Sequence, residues 1–396
     1  VLSSAQVPGL TTAQIANMGT DQVAALSTAV INKLTADQVA ALTTAQVVGL
    51  STAQVSQLAS TQLQALTSAA VAVLETRDLA VLTTAQLNLL SVDQVANLKT
   101  AQIAGLTTEQ VNKLTGDVLA SLSTDQVRAL TTAQIKALDA TKVNLLSTAQ
   151  VTNLKTEQVA ALTTTQLSNF STDQAGALTT AQTAKLTTAH LVALSSDQVA
   201  ALGTQQVSLL TTTQVAALGS VQVAGLTKDQ VGGMKTEQVA ALSTAVINKL
   251  TADQVGAMTT AQVVALSTAQ VRQLASTQIQ ALTSAEVGAL ESRDLAAMTT
   301  AQLNLLSADQ AANLQATQVA GLTTEQVNKL SNDLLSTLST VQVRALTSTQ
   351  LRALSTAQVQ LLSAEQVSNL KTEQLAALTT TQVAAMLSDQ IGALST

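Results

Sequence analysis

The sequence predicts an all-α solenoid of very short capped helices, one in each eight-residue repeat, with three octads to a superhelical turn. Three observations predict it. The unit L-[ST]-T-x-Q-V-x-x runs from Leu2 to Leu394 without a break. Each unit carries a helix-start signal. Phe170 is the single aromatic residue, and Trp, Tyr and Cys are absent, so any core is thin.

Every eighth residue from Leu2 is Leu, except Met18, Phe170, Met234, Met258, Met298 and Met386. Five residues after each comes a second apolar anchor, as at Val7, Ile15, Val23 and Ile31, with Ala175, Thr183 and Ala311 as exceptions. One continuous helix cannot bury this pattern, because eight residues advance about 800° and the Leu stripe drifts roughly 80° per repeat. Regular strands put Leu and Val on opposite faces, since the spacings between them are odd. A β-solenoid with turns inside the octad is the alternative.

A short helix in each octad satisfies both anchors. The hydroxyl after Leu and the Gln three residues later form a capping box, as in Thr11 with Gln14 and Ser51 with Gln54. Asp21, Asp37, Asp93, Glu109 and Glu157 favour the first turn, where they meet the positive end of the helix dipole. Gly49, Gly105, Asn97, Asn153, Lys33 and Lys113 stand just before the next Leu as expected helix ends. Where Lys99, Lys155 or Lys235 replaces the first hydroxyl, the second is the expected cap. Helices this short are unstable alone, so buried Ala, capping bonds and neighbouring octads must hold them.

A longer period overlies the octad. The segment 26–180 returns as 242–396, displaced by twenty-seven octads, and even oddities are copied, LETRDL at Leu74 returning as LESRDL at Leu290. That displacement is a multiple of three octads, which favours three per turn. The expected organisation is a single continuous array over 1–396; because it begins and ends inside an octad, at Val1 and Thr396, a fragment of a longer array is expected.

Octads of this form resemble the low-complexity repeats of very large bacterial surface or secreted proteins, described as adhesin-like or exoprotein-like. The resemblance covers the whole chain and implies extracellular or cell-surface structural work, without a catalytic motif. The phrase LTTEQVNKL is also similar to the capped first helix of transcription-activator-like repeats. Their longer unit and second helix are absent, so no base-reading residue carries over.

Scattered single charges and a net charge of -6 leave no basic stripe for nucleic acid, and a polar stretch in every octad leaves no membrane span. His190, the single histidine, stands at a capping Gln position and lacks partners for catalysis or a metal. Glu75, Arg77 and Asp78, repeated as Glu291, Arg293 and Asp294, are read as a local surface salt bridge. Asp21, Asp37 and Asp93 lack a calcium-loop pattern. No catalytic, cofactor-binding or metal residue is assigned, and no cofactor. The pairs Asn32-Lys33, Ser56-Gln57, Arg128-Ala129 and Lys136-Ala137 vary most and are read as solvent-exposed. Stacking would align residues such as Gln38 and Gln46 in rows, bonding either along the row or to their own helix.

The expected function is a non-enzymatic element of an extracellular fibre, stalk or spacer, self-associating or joined to other surface components. The alternative is an adhesive module for a glycan, protein or surface. Ice or mineral binding through Thr43, Thr44 and Thr84 is a distant third.

Overall fold

The Leu of each octad is where the backbone turns. Leu130, with φ -55° and ψ 138°, ends the helix Thr124–Ala129, and Thr131, with φ -74° and ψ 159°, caps the next, Thr132–Ala137. Two successive extended residues thus make each corner. The helix between corners has four to six residues, as in Thr28–Ile31, Ala36–Ala40 and Thr156–Ala161. A computed structural model describes residues 2–394; among these are 47 α-helices, two 3-10 turns and no strand, which disposes of the β-solenoid alternative.

The chain divides into two compact units, Val1–Leu194 and Ser195–Thr396. Within each, helices stack on the third element along. In the first, Ala36–Ala40 lies on Ser60–Ala65 and Thr108–Lys113 on Thr132–Ala137. In the second, Ser196–Ala201 lies on Ser220–Gly225 and Ala252–Gly256 on Ser276–Ala281. The stacked helices starting at Ala36 and Ser60 have two others between them, so a turn is three octads, as the sequence predicts.

Both apolar anchors are buried through the body of each stack, Leu130 being 2% and Val127 0% exposed. The core has a third layer that is polar: there the Gln preceding the Val is buried too, Gln158 to 1%. Ala adds little, because the buried Ala residues, Ala70, Ala175 and Ala311, stand at Gln or Val positions. The buried interior is therefore a Leu–Gln–Val strip, and small residues fill the outside. Among the described residues no helix is long and apolar enough to cross a membrane.

Helix ends differ from the expectation. No described residue has positive φ, and Gly49 sits at φ -76°, so these positions do not use the left-handed stop. The extended Leu ends the helix instead. Asn serves through its side chain, Asn97 donating to the Asp93 carbonyl at 2.8 Å and Asn153 to Ala149 at 2.9 Å. Gly serves by size: a Cβ on Gly225 would lie 2.6 Å from Ser196 Cα, and one on Gly105 2.9 Å from Thr76 Cβ, in the turn below.

The second hydroxyl does not take over capping where Lys comes first. Lys99, Lys155 and Lys235 are themselves the cap residues in extended conformation, with Thr100, Thr156 and Thr236 already helical. The Gln still accepts from the lysine N–H, at 2.6 Å for Gln102. Register follows the Leu and Gln, and the hydroxyl is dispensable.

Candidate functional site

Among the described residues the recurring polar element that joins one turn to the next is the buried Gln row. Gln158 shows its geometry. Its Oε1 accepts from the N–H of Lys155 at 2.7 Å, capping its own helix. Its Nε2 donates to the carbonyls of Val127 at 3.0 Å and Leu130 at 2.7 Å in the turn below. Of the two ways left open by the sequence the glutamine caps its own helix, and its amide bonds across turns to main-chain carbonyls and not to the next Gln of the row. Gln38 and Gln46 repeat the pattern onto Val7 and Leu10, and onto Ile15 and Met18. An amide is suited to this place because it accepts at one atom and donates twice at the other. Each bond closes a backbone group that the short helix leaves open.

Substitutions in this row show what each function requires. His190 reproduces the glutamine: Nδ1 faces the Thr187 N–H at 3.2 Å and Nε2 the Leu162 carbonyl at 2.8 Å, roles that fit the Nε2–H tautomer. The histidine is a capping variant, 6% exposed, as the sequence suggests. Lys142 keeps the donating half alone, its ammonium bonding the carbonyls of Asn112 and, at 2.9 Å, Leu114. Glu286 keeps the accepting half, from Thr283 N–H at 2.7 Å.

In three octads where the residue cannot accept, an Asn of the turn below replaces it. Asn88 Oδ1 accepts from Thr115 N–H at 2.9 Å in the octad with Val118. Asn112 accepts from Asp139 N–H at 2.8 Å in that of Lys142, and Asn304 from Ser331 N–H at 2.8 Å in that of Leu334. Asn88 and Asn304 also donate to the carbonyls of Lys113 and Lys329, each at 2.8 Å. These asparagines escape a reading confined to single octads. The signal is present all the same: the pairs Asn88 with Val118, Asn112 with Lys142 and Asn304 with Leu334 share one constant spacing along the chain. Val30 and Val246 have no such partner, and their octads form a four-residue helix without a side-chain cap and a 3-10 turn, Ile247–Lys249.

The acidic clusters separate into two parts. Arg77 pairs with Glu75 at 2.6 Å, and Arg293 with Glu291 at 2.7 Å, in exposed positions as expected. Asp78 and Asp294 do not belong to that surface. They occupy the Gln position, are 2% and 0% exposed, and accept from Thr52 and Thr268 hydroxyls at 2.7 and 2.6 Å. A buried position so close in sequence to an exposed pair is hidden by the local charge pattern.

The outer face offers no converging chemistry. Asn32, Lys33, Arg128 and Lys136 are exposed, while Ala129 and Ala137 are half-buried against the turn below. Asp21, Asp37 and Asp93 are exposed first-turn residues. Asp139 caps its helix, and hydrogen bonds from the N–H and then the hydroxyl of Thr141 hold its carboxyl below the usual value, helped by Lys142 and Lys113. The Lys329 bond at 2.8 Å likewise lowers Glu325. Among the described residues no group of three His, Cys, Asp or Glu side chains is placed to hold a metal. Grooves between turns, such as that lined by Lys228, Asp229, Asp253 and Gly256, are surface features.

A family model described as an ALTTAQ repeat matches residues 1–28, 15–52, 71–108, 119–156, 153–188, 184–212, 233–268, 263–292, 287–324, 335–372 and 368–396. The phrase is spelled out at Ala41–Gln46, from half-buried outer face through Leu to the buried amide. No curated protein matches the chain.

Proposed function

The chain belongs to the ALTTAQ repeat family, and from that premise we propose that it is a non-enzymatic structural element, a fibre, stalk or spacer at the cell surface or outside the cell. The observation that carries the proposal is the buried Gln row. It directs the strongest polar groups of each octad inward, onto the turn below, so the side chains rich in chemistry are spent on holding turns together. What remains outside is Thr, Ser and Ala with isolated charges. Large exposed apolar side chains such as Val48, Val81, Leu145 and Val341 stand singly along the chain, and only in the last described octads are several exposed close together in sequence, Val383, Leu387, Ile391 and Leu394.

In this reading the useful quantity is length, set by the number of turns. Each turn adds the same interfaces, so stability is a sum of nearest-neighbour contributions and stretching opens turns one at a time. Self-association of such elements, or their attachment to other surface components, is the form of partnership proposed. Small-angle scattering on this chain and on versions shortened by whole turns tests the idea. A maximum dimension that falls by a constant step per turn supports a spacer, and a compact particle of unchanging proportions overturns it. Immunolabelling of intact cells tests the location.

The exposure of Asn32, Arg128 and Lys136 favours one second reading, an adhesive surface on the varied positions. Adhesion to glycan or matrix arrays that disappears when those residues are changed to Ala distinguishes it from the spacer.

A further inference from the structure

Asp294 is fully buried and its Oδ2 has no hydrogen-bond partner. Its Oδ1 accepts from Thr268 Oγ1 at 2.6 Å, and the guanidinium of Arg293, 68% exposed, approaches no closer than 3.8 Å to that same oxygen. Asp78 makes the corresponding bond with Thr52, 2.7 Å away, and lies beside Arg77 in the same way, though only at Asp294 is a buried oxygen left without a partner. Aspartate is one methylene shorter than glutamine, and neither Glu75 nor Glu291 receives a side-chain cap. The carbonyls of Val263 and Leu266, 31 and 28 residues before Asp294, receive no side-chain donor, although every neighbouring Gln supplies one at those offsets. Val47 and Leu50 stand in the same relation to Asp78. A buried carboxylate oxygen without a donor carries a large desolvation cost, and such an oxygen points to an ion or water that completes it.

Another octad shows what this niche accepts. Lys142, at the same repeat position, places a full positive charge against the carbonyls of Asn112 and Leu114, the second at 2.9 Å. At Asp78 and Asp294 the register of the repeat sets a negative charge toward the carbonyls of the turn below, and the arginine beside each stays at 3.8 Å. We propose that each aspartate holds a desolvated monovalent alkali cation, K⁺ or Na⁺, between its carboxylate and the main-chain carbonyls of the turn below.

The charge balance selects a monovalent ion. One carboxylate neutralises it, whereas a divalent ion leaves a net positive charge in a buried place. Magnesium also retains waters that a niche sized for a side-chain amide excludes. Main-chain carbonyls are the ligands with which channel filters replace the hydration shell of potassium. The ion completes the two ladders that aspartate interrupts, and ties two more turns into the stack.

The test is hydrogen exchange and thermal unfolding of the full chain in KCl, NaCl and tetramethylammonium chloride at equal ionic strength. Either alkali ion is expected to raise the midpoint and to protect the amides of Leu79 and Leu295 on the order of tenfold more than tetramethylammonium, saturably. The preferred ion identifies which alkali metal the niche takes. An Asp78→Gln, Asp294→Gln double variant, which restores the donor used elsewhere, is expected to be the same in all three salts. Each single variant should keep the effect at the other site alone. Identical protection in the three salts, as a bound water would give, overturns the proposal. So does an alkali effect that persists in the double variant.

Discussion

Removing the Asn304 side chain while leaving the octad above it unchanged isolates the relay that replaces glutamine. Asn304 accepts from Ser331 N–H and donates to the Lys329 carbonyl, both at 2.8 Å. Each bond contributes about 0.5–1.5 kcal/mol net. The Lys329 carbonyl is exposed and turns to water, so Asn304→Ala is expected to cost about 1–2 kcal/mol. That corresponds to about 5–30-fold less protection of the Ser331 amide in hydrogen exchange. Leu334→Gln supplies the missing acceptor at the usual repeat position, and donors for the carbonyls of Leu303 and Leu306. In the Asn304→Ala background it should return most of the lost protection. With Asn304 intact it should add less, because Ser331 N–H is already bonded. The double-mutant cycle should therefore show a coupling of about 1 kcal/mol. Strict additivity refutes the relay, as does loss of protection spread evenly over remote turns.

Gln158→Leu removes bonds at 2.7, 3.0 and 2.7 Å and should cost about 2–4 kcal/mol, read as exchange of the Lys155 amide with turns far along the stack unaffected. Gly225→Ala places a Cβ 2.6 Å from Ser196 Cα and should destabilise that pair of turns by about 1–3 kcal/mol, measured by local exchange. Asp139 has a lowered pKa, so its contribution is present above its unfolded value and is lost as pH falls through the folded one, in the acid range below about 3.9. An NMR titration of its carboxyl should give a midpoint below that value, and Asp139→Asn, an equally good cap, should remove this acid loss while changing little at neutral pH.

Most of the fold is legible because the octad writes its own start, anchors and period. Leu130 and Val127 are readable as anchors, and the Thr131–Gln134 box as a helix start, because both signals lie within one repeat. What is not legible lies between turns. The Nε2 of Gln158 is used 31 and 28 residues away, and nothing within its octad announces that. The burial of Asp78 is concealed for the same reason, Glu75, Thr76 and Arg77 before it being exposed while its hydrogen-bond partner in space is the Thr52 hydroxyl, 26 residues away. Gly105 misleads because a left-handed stop and a close approach place glycine at the same position, and only the second operates there, while at Gly49 neither does.

The twenty-seven-octad displacement of the duplicated block carries less weight than its agreement with three octads per turn suggests. Glutamines in all three columns of the coil reach the carbonyls 31 and 28 residues back, as the successive Gln158, Gln166 and Gln174 do, so a copied block fits at any multiple of eight. The octad, and not the turn, is then the unit of exchange. Deleting residues 315–322 tests this: Gln342, which bonds Ala311 and Leu314, should move onto the equivalent carbonyls of Leu303 and Leu306. The stack should close with its helix content per residue unchanged. Only the Asn304–Ser331 pair, which spans the deletion, should be lost, with about 5–30-fold less protection at Ser331, as for Asn304→Ala. Deleting 347–354, an octad outside that pair, should leave Ser331 untouched. If single octads cannot be removed from either place but three together can, the turn is the indivisible unit after all, and the fixed-offset account of the Gln rows fails.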